Sequence, residues 1–135
     1  MKIKAFVALS IALIMLLTLV APVLAAGPNR LTLSAVSPET GTGTATLRTT
    51  HDNQCKVSIV LEGATPYRTY QVYVDDGTAY HWAGTLATYA DGNERFSGAT
   101  QYTFPTGLIN CRVVLERSDL LGTVYVTNSI ELTFR

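Results

Sequence analysis

Two cysteines, two histidines and two acidic turns are the residues of this chain whose types and spacing could do chemistry. Cys55 and Cys111 each sit in a run that alternates with period two. One run places Cys55, Val57, Ile59 and Leu61 on a single side, and the other places Ile109, Cys111, Val113 and Leu115 together. Such alternation marks a half-buried strand, so both sulfurs are expected to face a core. No Cys-x-x-Cys is present and no histidine adjoins either cysteine, which leaves a redox or metal-binding thiol pair without support. In an oxidising compartment an even pair is expected to form a disulfide, Cys55 to Cys111. Closing a loop of that length would stabilise the fold by up to ~4 kcal/mol in the chain-entropy model.

The histidines offer less. His51 adjoins Asp52 at a turn, and strand parity puts His81, between Tyr80 and Trp82, on an outward side. A zinc or copper site needs three or four ligands, which two histidines could reach only by borrowing carboxylates such as Asp75 or Asp76. Asp75-Asp76-Gly77 and Asp91-Gly92-Asn93-Glu94 could present oxygens to calcium, but neither follows the helix–loop–helix calcium spacing. Asp-Gly is the pair that hairpin turns require. No Gly-x-Ser-x-Gly elbow is present, and no nucleophile is paired with a base. The expectation is no catalytic residue, no metal site and no cofactor.

The disulfide argument depends on compartment, which the first residues address. Lys2 and Lys4 precede an apolar run from Ala5 to Val20, interrupted only by Ser10 and Thr18. Pro22 breaks it, and Val23-Leu24-Ala25 puts small residues before Ala26. That pattern reads as a secretory signal peptide over residues 1–25, cut between Ala25 and Ala26. An uncleaved anchor is the alternative, since the run is long enough to span a bilayer. Residues 26–135 are then a single domain, with no further membrane span in the mature chain. Its 110 residues suffice for a core without staples. With Lys2 and Lys4 removed, the balance is 8 basic against 10 acidic residues, net −2. A near-neutral domain lacks the basic footprint of nucleic-acid binding, and no basic cluster marks an anionic membrane surface.

The elements that would position these residues read as strands. Leu31–Leu33, Thr42–Thr49, the Cys55 run, Tyr70–Val74, Tyr80–Leu86, Leu108–Arg117 and Val124–Phe134 alternate or are rich in Thr, Val and Tyr. Arg95–Phe104 is weaker, two short strands or one irregular edge. Seven to nine short strands separated by turn residues predict an all-β fold, a two-sheet antiparallel β-sandwich preceded by a signal-peptide helix. Parity places Tyr70, Tyr80 and Trp82 inward with Val72 and Val74. It places Tyr73, Tyr89 and Tyr125 outward, as a candidate contact face, because tyrosine offers rigid area with a polar tip.

The stretch Leu61-Glu-Gly63-Ala-Thr-Pro66-Tyr-Arg-Thr-Tyr70-Gln-Val72-Tyr-Val74 resembles the loop-and-strand signature of fibronectin type III and related immunoglobulin-like domains. The likeness continues through Gly84-Thr85-Leu86 to Asp91-Gly92-Asn93, so it spans Leu61–Asn93. It implies that Tyr70 closes a tyrosine corner by bonding to upstream backbone, with Pro66 setting the bend. It names a structural device and no activity.

These readings lead to a non-catalytic, secreted or cell-surface binding or adhesion module, with a protein, a glycan or its own copies as partner. One alternative is a structural subunit of a surface fibre or layer, with Leu31–Val36 or Val124–Arg135 added to a neighbour's edge. Another is a small extracellular enzyme or metal-binding protein.

Overall fold

The computed structural model describes residues 29–120 and 122–135, so the expected signal peptide and its helix lie outside the described residues. The described chain is all β. Its strands are β1 (Arg30–Ala35), β2 (Thr42–Thr49), β3 (Cys55–Glu62), β4 (Thr69–Asp75), β5 (Tyr80–Ala87), β6 (Glu94–Ala99), β7 (Gly107–Arg117), β8 (Gly122–Val126) and β9 (Ile130–Phe134). β3 shows the plain case of period two. Cys55, Val57, Ile59 and Leu61 are buried, and the residues between them are not. β4 does the same with Tyr70, Val72 and Val74. The weak stretch after Asn93 resolves into one strand, β6, at an end of the strand order.

The expected division into two sheets is not what the strands form. They make one antiparallel sheet in the order β5-β4-β7-β8-β1-β2-β3-β6, with β9 paired to β7 off that path. Two features bring the path round on itself. β7 is long enough to pair β4 along Arg112–Arg117 on one side, and β9 and then β8 in succession elsewhere along its length. The end strands β5 and β6 also pack closely where their glycines face each other. A Cβ on Gly98 would lie 2.6 Å from the Ala83 carbonyl oxygen, and one on Gly84 would lie 2.7 Å from the Phe96 ring. Glycine there permits a backbone approach that any side chain would block. The result is a nearly closed, barrel-like sheet.

Two β-bulges interrupt the alternation. Opposite Val72 and Tyr73, β5 carries the extra residue Ala83, because Val72 pairs Gly84 and Tyr73 pairs Trp82. Opposite Leu115 and Glu116, β8 carries the extra residue Val124. A bulge inserts one residue into one strand, so the faces exchange beyond it. The core inside the curve combines Leu33, Leu47, Ile59, Leu61, Tyr70, Val72, Leu115 and Phe134 with many smaller residues.

Cys55 and Cys111 both reach this core, as their parity requires, but their sulfurs are not bonded to each other. The expected disulfide is therefore corrected to two buried thiols. Burial pushes the Cys55 thiol up to about 12, with Cys111 acting in the same direction. Burial also raises Cys111 to about 11, aided by the charges of Asp76 and Asp75. A thiol is reactive as its thiolate, so both are shielded and chemically quiet at neutral pH.

The edges proposed for strand addition are mostly occupied. β1 pairs β2 and β8, and β8 pairs β7 and β1. β9 has one ladder partner, β7.

Candidate functional site

The first bulge decides what faces solvent on β4 and β5. Leu86 and Ala83 are both buried although they are three residues apart, because the extra residue resets the alternation. Beyond it, Trp82 is 48% exposed and Tyr80 42% exposed, whereas both were expected inside. His81 was expected outside and turns in, with 12% of its side chain exposed. An isolated glycine within a strand is a signal of a bulge, and Gly84, at φ 150°, is that signal.

Tyr73 emerges from β4 on the same outer face, its backbone paired with Trp82 on β5 and Val114 on β7. Its ring lies 5.8 Å from that of Tyr80, tilted by 44°. Trp82 does not swing freely. Its indole N–H donates to Gln71 Oε1 at 2.8 Å, and the Thr85 hydroxyl donates to the same oxygen at 3.1 Å. Gln71 Nε2 in turn donates to Ser118 Oγ at 3.4 Å. Near Tyr80, Arg112 Nε donates to Asp75 Oδ2 at 2.7 Å. That hydrogen bond, opposed by desolvation and joined by the charge of Asp75, raises the guanidinium above its ordinary range. The face thus carries aromatic rings bordered by an amide, hydroxyls and a charge pair that neutralises itself.

The other expected members of a tyrosine face do not join it. Tyr89 is exposed, as expected, but lies in the connection from β5 to β6. Tyr125 was expected outside and is buried completely. The second bulge turns it inward, so that Val124 and Tyr125 are buried in succession. Its ring meets Tyr70 edge-on at 5.9 Å between centroids.

Inside, Tyr125 belongs to a buried polar cluster built on Glu39. The Glu39 side chain has no exposed area. Its Oε1 accepts from the Thr65 hydroxyl at 2.6 Å and the Thr65 N–H at 3.0 Å. Its Oε2 accepts from Arg117 Nη1 at 3.2 Å. Arg117 also grips Asp119 through Nε at 2.6 Å and Nη2 at 2.8 Å. Burial works against the Glu39 charge, but the bonds from Thr65, Arg117 and Thr40 outweigh it and hold the carboxyl below its ordinary value. The Tyr125 hydroxyl donates to the Thr40 carbonyl. The Tyr70 hydroxyl is buried without a hydrogen-bond partner, so the bond that would make it a tyrosine corner is absent. Burial and the Glu39 charge push it up to about 12.

The inward His81 stacks on Tyr102 at 3.8 Å between centroids, and its Nε2 donates to Asp76 Oδ2 at 2.8 Å. Asp76 is also a turn residue. Its Oδ1 accepts from the backbone of Thr78 and Ala79 and from the Thr78 hydroxyl. Desolvation opposes the charge, yet His81 and these turn donors hold the carboxyl far below its usual range. Asp91 caps its own turn in the same way, accepting from the Asn93 N–H at 3.0 Å. Asp76 thereby serves the β4–β5 hairpin, and Asp91 the turn that carries the chain from β5 to β6, strands that do not pair. His51 sits beside Asp52 at 3.4 Å, both well exposed. Among the described residues no three His, Cys, Asp or Glu side chains group as metal ligands, and no helix is long and apolar enough to cross a membrane.

No protein-family model, curated protein or solved structure matches the chain.

Proposed function

We propose that this protein is a non-catalytic, secreted or cell-surface β-domain that binds a partner through the outer face of β4 and β5. The observation that carries this reading is Trp82, a half-exposed tryptophan held by Gln71 beside Tyr80 and Tyr73. Single exposed apolar residues are ordinary, but contiguous large ones mark contact surfaces. Tryptophan and tyrosine give much contact area while few rotamers are lost, and a ring already fixed loses fewer still. The apolar leader from Ala5 to Val20 supports export.

The test is co-sedimentation of the purified domain with intact cells of the producing species, beside Trp82→Ala. The wild type is expected in the pellet and the variant in the supernatant. Equal pelleting of the two proteins would remove the face from the proposal.

A further inference from the structure

We propose that the ligand of this face is an uncharged polysaccharide, its sugar rings stacked on Trp82 and Tyr80 and its hydroxyls bonded by the polar border. The inference rests on the binding role proposed above and names the partner's chemistry.

Area argues first. Tyr80 and Trp82 are 42% and 48% exposed. Side chains of this kind carry about 150–250 Å², so the two rings offer on the order of 200 Å². A stable protein interface needs about 800 Å² from each partner, centred on a continuous apolar core. The rings fall well short of that, yet they suit one or two sugar units, whose faces are patches of C–H of about ring size.

Charge argues second. Among the described residues the cation that borders Tyr80 is Arg112, which is held by Asp75 at 2.7 Å, and Glu116 on β7 lies across from Gln71. Nothing there attracts a polyanion, which requires unpaired Lys or Arg for its phosphates or sulfates. What remains is neutral hydrogen bonding from the capacity the Gln71 network leaves over: the second Gln71 Nε2 proton, the Ser118 O–H as donor and the Thr85 oxygen as acceptor. That chemistry matches a ligand made of hydroxyl groups.

Geometry argues third. Tyr80 and Trp82 stand two residues apart on one strand, about 7 Å along it, with both side chains exposed on the outer face. Two rings at that spacing suit successive units of a chain. The Tyr73 ring, 5.8 Å from that of Tyr80 and tilted by 44° to it, widens the aromatic surface across the strands. Because Gln71 already holds the indole, little side-chain freedom remains to be lost on binding.

Trp82 is the single tryptophan of the chain, so tryptophan emission, excited beyond the tyrosine absorption, reports on this face. The experiment measures binding of wild type, Trp82→Ala and Tyr80→Ala to cell envelopes left intact, treated with periodate to cleave vicinal diols, or digested with protease. Periodate is expected to abolish wild-type binding and protease to spare it. Trp82→Ala should bind at least ~10-fold more weakly and Tyr80→Ala less severely so. Soluble polysaccharide released from the envelopes should shift wild-type fluorescence and protect it from acrylamide quenching. Binding that survives periodate but not protease would overturn the polysaccharide and leave the face intact as a protein contact. Undiminished binding by a folded Trp82→Ala, checked by circular dichroism, would overturn the face itself.

Discussion

Inside the curve of the sheet, Tyr125 and Arg117 close around Glu39, while on the outer wall Tyr80 and Trp82 stand in solvent. Each region owes its orientation to a one-residue bulge, at Val124 in the first case and Ala83 in the second. In the Glu39 cluster nearly every polar group is satisfied by another in the protein, and the loops before β2, before β4 and after β7 are tied together by it. A group so engaged has nothing left for a ligand, so the cluster acts on stability. The outer face has the reverse character. Its hydrogen bonds fix one ring and leave the aromatic surface uncovered, so it acts on binding.

The largest expected effect that separates the two is Glu39→Gln. Removing one partner from a buried ion pair costs about 3–5 kcal/mol. Arg117 retains Asp119, so a loss of about 2–3 kcal/mol is expected, with cell binding unchanged. Urea unfolding should show a lower midpoint at unaltered slope. The pH dependence carries a sign. Glu39 has its pKa depressed in the fold, so its contribution is complete above its ordinary value of 4.5 and is lost as pH falls through the folded value. The gap between wild type and variant should therefore narrow below about pH 4.5, and a gap that widens in acid would contradict the assignment.

A paired comparison within the cluster is subtler. Tyr125→Phe removes a hydroxyl that donates to the Thr40 carbonyl, and should cost about 1 kcal/mol. Tyr70→Phe removes a buried hydroxyl with no partner, and should be neutral or slightly stabilising. Equal losses in thermal unfolding would mean that the two hydroxyls are not distinguished as described.

Trp82→Ala, with the largest proposed effect on binding, should cost only about 1 kcal/mol of unfolding free energy, because half of the ring is exposed and one hydrogen bond to Gln71 is lost. A loss of 2 kcal/mol or more, of the size expected for a core residue, would return Trp82 to the structural side of the comparison.

Most of the strand inventory was legible. β2 runs from Thr42 to Thr49 as its composition indicates, and β3 and β4 alternate as their patterns require. The Asp75-Asp76-Gly77 turn closes the β4–β5 hairpin as its Asp-Gly pair implies, whereas Asp91-Gly92 turns the chain between β5 and β6, which do not pair, and so closes no hairpin. The outer face was only half legible. Tyr73 could be placed from β4, but Trp82 and Tyr80 could not, since their orientation follows from an irregularity shared by two strands. Gly84 hinted at it. Nothing in Gly122–Val126 hinted at the bulge that buries Tyr125. Glu39, Thr65, Arg117 and Tyr125 are too far apart in sequence for any local pattern to join them.

By itself, then, the sequence determined the all-β character, the inward cysteines and the near-neutral charge, because side-chain alternation and composition are local properties of the chain. Only the tertiary structure decided that the strands curve into one nearly closed sheet and that the thiols remain apart. It alone turned Tyr125 in and Trp82 out. Register between paired strands is a property of both partners, and one extra residue in either exchanges the faces of everything beyond it.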